Sequence, residues 1–240
     1  MVPEREDADV ETSSEGYARR FAGPVGRFFL ERQAAATLDL LRPFPGASVL
    51  DVGGGHGQVT GPLVAAGHAV TVLGSDASCE AGVREWTADG RARFVAADLL
   101  APPLPDRSFD VVLSYRLLPH VRRWPELVGT LARLARRAVI VDYPTRRSVN
   151  AAASMLFGLK KGVEGNTRPF TVFSDRGIER AFAAHGFAPT GRRPQFFLPM
   201  ALHRATGSAG LARGLEGAAA AVGLTGRLGS PVILRLEPRG

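Results

Sequence analysis

The chain has 240 residues, 45% of them hydrophobic, which is enough for one α/β domain with a sizeable core. No apolar run approaches the roughly 18 residues of a transmembrane helix, and the acidic, polar N-terminus has no hydrophobic signal core, so we expect a cytoplasmic protein without a membrane partner. The single cysteine, Cys79, excludes an intrachain disulfide and a cysteine-based zinc cluster, and we expect no bound metal.

The net charge of +7 raises the question of a nucleic-acid partner. Only two of the 30 basic residues are lysines, Lys160 and Lys161, and the arginines are scattered without an aromatic-interleaved stripe. Many arginines in a chain rich in alanine, glycine and proline are typical of GC-rich coding, so we expect a bacterial source. The sequence therefore disfavours nucleic-acid binding, although the charge alone does not exclude it.

The N-terminal part of the chain is expected to be a tail followed by helices. Residues 1–14 are polar, charged and without periodicity, which predicts disorder. Over residues 15–41 apolar side chains recur at helical spacing, and Gly23-Pro24 is expected to divide the stretch into two helices. We therefore assign residues 15–45 to N-terminal helices.

The central part alternates strands with helices, which predicts βαβ units in a doubly wound sheet. Its apolar strand runs, such as Asp110 to Tyr115, are typical of strands buried on both faces of a parallel sheet. Strands are predicted near residues 48–52, 68–76, 92–98, 110–115 and 137–144, with helices at about 60–66, 77–87 and 125–136.

The C-terminal part, residues 146–240, departs from this alternation. An apolar helix is predicted from Val149 to Leu159, and a second helix follows Ser174, a typical N-cap residue, and ends at His185-Gly186. Two further strands are predicted at 187–199 and 230–238. Between them lies a helical insertion at about 200–229, which is longer than an ordinary connection.

The most informative stretch of the sequence is SVLDVGGGHGQVT, residues 48–60. A short apolar strand carrying Asp51 leads into a glycine cluster, and a helix begins after it. Glycine permits a positive φ and a close approach of backbone to a ligand, and the helix offers free N–H groups. The dinucleotide fingerprint GxGxxG does not fit, because its third glycine would fall at Gln58 or Thr60.

The pattern that is present, Asp51-x-Gly53-x-Gly55-x-Gly57, resembles motif I of the class I S-adenosylmethionine-dependent methyltransferases. The resemblance implies an α/β fold with a doubly wound, mostly parallel seven-stranded sheet, helices on both faces, an antiparallel last strand and an N-terminal helical lid. It implies a single methyltransferase domain over residues 15–240, with its cofactor-binding half at 46–145. A glycine-rich turn in some other α/β protein is the alternative.

The resemblance implies S-adenosylmethionine as the cofactor, with its methionine half over the glycine loop near Asp51. The ribose hydroxyls would be held by Asp76, although the family's usual spacing puts this acid near Gly74. Either the strand turns two residues late, or Ser75 shares the role. An N-cap for the next helix is the alternative role of Asp76. Asp98 matches the position that binds the adenine amino group, and Leu99 would give the ring an apolar wall.

Residues at the ends of the fourth and fifth strands are expected to border both the cofactor and the acceptor, since ligands lie at the carboxyl ends of strands in open α/β sheets. Ser114 and Tyr115 are predicted cofactor contacts, and Tyr115 is also a candidate catalytic residue. His120 could take a proton from the acceptor or could hydrogen-bond the backbone behind the cofactor. Tyr143 could line the acceptor pocket or cover the sheet.

Tyr17, Arg20 and Phe21 resemble a Tyr-x-x-Arg-Phe lid segment that precedes motif I in this superfamily. The resemblance implies that Tyr17 and Arg20 contact the substrate. Ordinary helix packing is the alternative.

Methyl transfer from a sulfonium is an in-line displacement in which proximity and alignment do most of the work, so the lack of a catalytic triad does not count against an enzyme. The prediction is therefore a methyltransferase acting on an O, N or C atom of a small-molecule acceptor. Methylation of RNA or protein, and a non-catalytic cofactor-binding or scaffold protein, remain alternatives, whereas the missing third glycine disfavours a nicotinamide oxidoreductase. The oligomeric state stays open, a dimer included.

Overall fold

The computed structural model describes residues 6–149 and 170–239. Its centre is a seven-stranded sheet in the order β3-β2-β1-β4-β5-β7-β6. Strands β1 to β5 pair in parallel, and β7 runs antiparallel to both β5 and β6, which confirms the predicted sheet with its antiparallel last strand. The strands are β1 Ser48–Val52, β2 Ala69–Gly74, β3 Ala92–Ala96, β4 Phe109–Ser114, β5 Ala135–Tyr143, β6 Phe187–Phe196 and β7 Ser230–Pro238.

Helices surround the sheet. In the described residues they are α1 Ala8–Thr12, α2 Glu15–Ala18, α3 Gly23–Leu41, α4 Thr60–Ala65, α5 Arg84–Thr87, α6 Trp124–Leu134, α7 Asp175–Ala183, α8 Met200–Thr206, α9 Ala209–Ala221 and α10 Leu224–Leu228. Three 3₁₀ helices add Arg19–Phe21, Ala77–Val83 and Leu118–His120. None of the described helices has both the length and the apolar character needed to cross a membrane.

The sheet separates two apolar cores, as the near-continuous apolar strands predict. Leu50 and Val112 face a core that includes α6 and α7, whereas Val49 and Val111 face a core that includes the end of α3 and α4. Because successive side chains point to opposite faces, burial on both sides requires apolar residues at almost every position. The same burial holds the carboxyl ends of β1 to β5 in a fixed arrangement.

The N-terminus differs from the sequence prediction. Residues 6–14, expected to be disordered, include helix α1, in which Ala8 and Thr12 are buried and Asp9 is fully buried. A helix this short has little stability of its own and is fixed by tertiary contacts. Because most residues of α1 are polar or small, the sequence does not predict that the helix packs against the rest of the fold. Gly23-Pro24 divides the following helices, and Pro24 lies in the first turn of α3, where its missing N–H costs nothing.

Other element boundaries differ as well. Strand β2 ends at Gly74 rather than Asp76, and the predicted helix at 77–87 is a 3₁₀ helix followed by the short α5. Three helices, α8 to α10, lie between β6 and β7, where the sequence predicts an insertion. Nearly all of the predicted helix from Val149 to Leu159 lies outside the described residues.

A buried carboxylate fastens this insertion to the end of β6. Glu216 of α9 is fully buried and accepts hydrogen bonds from the backbone N–H groups of Phe197 and Leu198, each at 2.9 Å. Its Oε1 also lies 2.8 Å from Nε2 of His203 in α8. The insertion is therefore held by polar contacts as well as by apolar packing.

Candidate active site

The glycine loop after β1 is shaped by close backbone contact. Gly53 and Gly57 have φ values of +75° and +69°, which other residues rarely adopt. A Cβ atom added at Gly55 would lie 2.5 Å from the carbonyl oxygen of Cys79, and one at Gly57 would lie 2.2 Å from that of Gly82. The loop therefore packs against the 3₁₀ helix after β2 without side chains between them.

Asp51 lies beneath this loop in the middle of the sheet. It is fully buried, and neither of its carboxyl oxygens accepts a hydrogen bond from the described residues. Burial, together with the nearby charge of Asp142, raises the pKa of Asp51 to about 7. A buried acceptor without a partner is costly unless a ligand satisfies it, so Asp51 is suited to a cationic or hydrogen-bonding ligand.

The end of β2 has two candidate carboxylates, and neither stands at position 74. Gly74 leaves no room for a side chain, because an added Cβ would lie 2.8 Å from both Cβ of Cys79 and Cζ of Phe94. Asp76 is exposed, and its Oδ1 accepts the backbone N–H of Ser78 at 2.8 Å. It thus makes the N-cap contact that was the alternative to a ribose role.

Asp9 of α1 provides the second carboxylate. Its Oδ2 accepts a hydrogen bond from the backbone N–H of Ser75 at 2.7 Å and lies 3.5 Å from Sγ of Cys79. Its Oδ1 and the Oγ of Ser75 are buried without a hydrogen-bond partner in the described chain. Sequence reasoning missed Asp9 by assigning it to a disordered tail, although the absence of an acid at Gly74 was a signal that another residue supplies one.

The end of β3 carries Asp98 and Leu99. Asp98 Oδ1 accepts the backbone N–H of Leu100 at 2.9 Å, and Leu99 is fully buried. Ala8 of α1 belongs to the same apolar cluster as Leu99. At β4, Ser114 donates a hydrogen bond to the carbonyl of Val52 at 3.2 Å, which ties β4 to the start of the glycine loop.

A cavity of about 300 Å³ lies beside these strand ends, between the N-terminal helices and the C-terminal insertion. Tyr17, Arg20 and His120, three of the residues singled out in the sequence, line it. The His120 ring lies 5.5 Å from that of Phe170, and the Arg20 guanidinium lies 5.1 Å from the Tyr17 ring. The lining also includes Phe21, Phe29, Gln33, Arg116, Asp142, Gln195, Phe196, Met200 and Arg204.

Two predicted site residues do not reach the cavity. Tyr115 is buried in the core, and its hydroxyl lies 2.8 Å from Oγ1 of Thr37. Tyr143 is buried on the other core and donates a hydrogen bond to Asp175 at 3.1 Å. Because both rings are enclosed by packing and neither lines the cavity, we propose structural roles for them. For Tyr115 this replaces the predicted roles in cofactor binding and catalysis, and for Tyr143 it is the predicted alternative of covering the sheet.

Arg116 takes the place in the cavity that the sequence assigned to Tyr115. It has a φ of +57°, which is strained for a residue with a side chain. Its backbone N–H donates to Oδ1 of Asp142 at 2.6 Å, and its Nη2 donates to Oε1 of Gln33 at 2.5 Å. Burial raises the pKa of Asp142 to about 6, with the Arg116 contacts opposing the rise. Its place just after β4 put Arg116 in the segment expected to border the acceptor, but the sequence did not indicate that its side chain, rather than that of Tyr115, reaches the cavity.

Comparison with known proteins identifies the family. A family model described as a methyltransferase domain matches residues 27–191, more than half of the chain. The chain belongs to the methyltransferase domain family. Solved methyltransferases share its architecture: magnesium protoporphyrin IX methyltransferase from Synechocystis PCC 6803, with bound SAH, superposes with a TM-score of 0.66 over 96% of this chain and 98% of that one, at 17% identity. The fold is that of the class I S-adenosylmethionine-dependent enzymes.

Two curated relatives of the chain are named as enzymes of ubiquinone biosynthesis. The ubiquinone biosynthesis O-methyltransferase of Paramagnetospirillum magneticum is 34% identical over 143 residues, covering 56% of this chain and 57% of the relative. That of Rhizobium etli is 27% identical over 169 residues, covering 66% and 67%. The match therefore spans between about half and two thirds of these relatives.

The strand ends fit S-adenosylmethionine, the methyl donor of the family. Asp51, Asp9 and Ser75 keep buried oxygens without partners in the described chain, and these oxygens are suited to the polar groups of that molecule. No group of three metal-binding side chains converges anywhere in residues 6–149 or 170–239.

Proposed function

We propose that this protein transfers a methyl group from S-adenosylmethionine to an oxygen atom of a small-molecule acceptor bound in the cavity. The proposal rests on one observation, namely that the glycine loop of the cofactor site and the acceptor cavity are joined through adjacent residues. Leu117 packs so closely on Gly53 that an added Cβ there would lie 2.9 Å from it, while the preceding residue, Arg116, lines the cavity. The curated relatives that are named as O-methyltransferases support oxygen as the methylated atom.

In this proposal, the residues that bind the cofactor lie at the ends of neighbouring strands. Gly53, Gly55, Gly57 and Asp51 hold the methionine half, with Ser114 bracing the loop. Asp98 and Leu99 hold the adenine. For the ribose hydroxyls, Asp76 is the residue predicted from the sequence, with Ser75 as its partner. We assign this contact to Asp9 instead, because its free Oδ1 is buried beside Ser75 whereas Asp76 is exposed and caps a helix.

S-adenosylmethionine supplies an electrophilic methyl group on a sulfonium, which is a good leaving group. The protein's part is to align the acceptor oxygen, to exclude water and to accept a proton. Phe21, Phe29 and Phe196 line the cavity, and these aromatic walls would limit the access of water to a bound acceptor. His120 lines the same cavity, and we propose that its imidazole takes the proton of the acceptor hydroxyl as the oxygen–carbon bond forms.

Isothermal titration of the purified protein with S-adenosylmethionine and with its demethylated product, followed by a methylation assay on a panel of phenols, tests the proposal. We expect binding of both compounds and product formation on at least one phenol. Absence of cofactor binding would contradict the proposed function. Binding without turnover on any acceptor would favour a non-catalytic cofactor-binding protein, and strong, salt-sensitive RNA retention would favour an RNA substrate.

The role of His120 is tested by His120→Gln. A lost general base lowers kcat by about 100-fold or more with a smaller effect on KM. The matched control is His185→Gln, because His185 is exposed at the end of α7 and does not line the cavity. An unchanged kcat in His120→Gln would contradict the proposed base.

A further inference from the structure

We propose that the acceptor is an organic oxyanion: a planar, apolar body that bears a carboxylate or phosphate group recognised by Arg116 and Arg204. This inference rests on the proposed function, because it names the chemical class of the molecule that enters the acceptor cavity. It is carried by the charge, the free hydrogen-bond donors and the aromatic lining of that cavity.

The first observation is an excess of positive charge. Among the described residues that line the cavity, three carry guanidinium groups, Arg20, Arg116 and Arg204, and one, Asp142, carries a carboxylate. Within the described part of the chain, Arg20 and Arg204 form no salt bridge. The pKa of Arg204 is lowered by burial and by the like charge of Arg20. Both side chains are partly exposed to solvent, and an anion bound between them would relieve the repulsion of their like charges.

The second observation is an unused donor on Arg116. Its Nη2 is bound to Gln33, but its Nη1 is buried and has no hydrogen-bond partner in the described residues. Burial lowers the pKa of this guanidinium, while the nearby Tyr17 hydroxyl and Asp142 carboxylate oppose the shift. A buried guanidinium with an unused N–H group is costly unless a ligand accepts from it. The planar fork of arginine matches the two oxygens of a carboxylate or phosphate.

The third observation is that aromatic rings hold these cations in place. The Arg116 guanidinium lies 4.0 Å from the centre of the Phe21 ring, and that of Arg204 lies 5.8 Å from Phe21 and 5.7 Å from Phe29. Stacking fixes the direction of a guanidinium while leaving its edge free for an anion. The same rings offer a planar apolar ligand a complementary wall.

Orientation of the side chain adds a fourth argument. Arg116 has a positive φ, and its backbone N–H is held by Asp142. Strain of this kind persists only where surrounding contacts maintain it, and it is concentrated at ligand-binding positions. Asp142 therefore acts as a positioning residue that directs Arg116 into the cavity rather than as a partner that neutralises its free Nη1.

The test is calorimetric titration of the protein saturated with S-adenosylhomocysteine. The probes are three matched pairs, each a catechol carboxylic acid and its neutral amide: the benzoic, phenylacetic and cinnamic series. A phenyl phosphate bearing one free hydroxyl is the phosphate probe. At low salt, we expect at least one oxyanion to bind about tenfold or more tightly than its neutral analogue, which corresponds to a single charge-assisted contact. The ranking of carboxylate and phosphate identifies the oxyanion.

The variants Arg204→Gln and Arg116→Gln should each reduce this preference by about tenfold. Arg213→Gln is the matched control: Arg213 also stacks on a ring, that of Phe28, but does not line the cavity, so the preference should be unchanged. Equal binding of all acid and neutral pairs, or a preference that survives in both cavity variants, overturns the inference. Because binding of S-adenosylhomocysteine is measured first, its loss marks failure of the proposed function instead.

Discussion

At the scale of single residues, we expect different effects on cofactor binding when each of the two carboxylates at the end of β2 is replaced. Asp9→Asn should weaken binding of S-adenosylhomocysteine by about 10-fold or more, because it removes a buried charged acceptor worth about 1.5–3 kcal/mol. Asp76→Asn should change the affinity by less than about threefold, since an exposed cap contributes mainly to the local helix. Isothermal titration of both variants decides the assignment. A large loss of affinity in Asp76→Asn alone would show that Asp76, as predicted from the sequence, holds the ribose.

Asp51 gives a prediction about pH. Its pKa is raised to about 7 by burial and by Asp142, so the carboxyl is largely neutral at pH 6 and ionised at pH 8. Only the ionised form attracts the ammonium group of the cofactor's amino-acid half. We therefore expect the affinity for S-adenosylhomocysteine to rise as the pH increases from 6 to 8, by several-fold. Titrations at the two pH values measure it, and Asp51→Asn should show weaker binding with a smaller pH dependence.

At the scale of elements, the sequence predicted the strands and the glycine loop, which follow from the pattern of residue types. It did not predict the features that depend on tertiary contacts. The strands were readable because burial on both faces forces apolar runs such as Val111 to Leu113. The glycine loop was readable because backbone contact excludes side chains at Gly55 and Gly57. Helix α1 could not be predicted, because only Ala8, Asp9 and Thr12 of its five residues are buried, and that burial comes from contacts with distant parts of the chain. The direction of Tyr115 and Arg116 depends on a local φ that spacing does not encode.

The helical insertion offers a test of its own. Glu216→Gln should lower the free energy of unfolding by about 1.5–3 kcal/mol, because an amide replaces a buried carboxylate that accepts two backbone N–H bonds. The control is Glu31→Gln, which breaks an exposed contact with Arg213 of the same helix and should cost less than about 1 kcal/mol. Denaturant unfolding followed by circular dichroism measures both. Equal effects would show that the buried contacts do not fasten the insertion.

At the scale of the whole molecule, the buried acids set a pH dependence of stability. The pKa values of Asp51 and Asp142 are raised to about 7 and about 6, so between about pH 4 and 7 the folded chain holds protons that the unfolded chain has released. Their contribution to stability is therefore full below about pH 4 and is lost as the pH rises through those values.

The variant Asp51→Asn isolates one of these contributions. Relative to the parent protein, its free energy of unfolding should rise between pH 5 and pH 8 by an amount on the order of 2 kcal/mol. Acids with lowered pKa values, such as Asp39 and Asp110, act in the opposite direction at lower pH and are common to both proteins. Urea titrations at the two pH values give the difference. A difference that does not change with pH would contradict a raised pKa for Asp51.

The run of chain ahead of α3 has a consequence for the order of events in catalysis. Asp9 binds the end of β2, and Tyr17, a short distance along the same run, forms a wall of the cavity. Under the proposed function, a cofactor that also bonds to Asp9 further stabilises this run of chain and, with it, the wall that contains Tyr17. Binding of the donor first then favours binding of the acceptor, which gives turnover a preferred order.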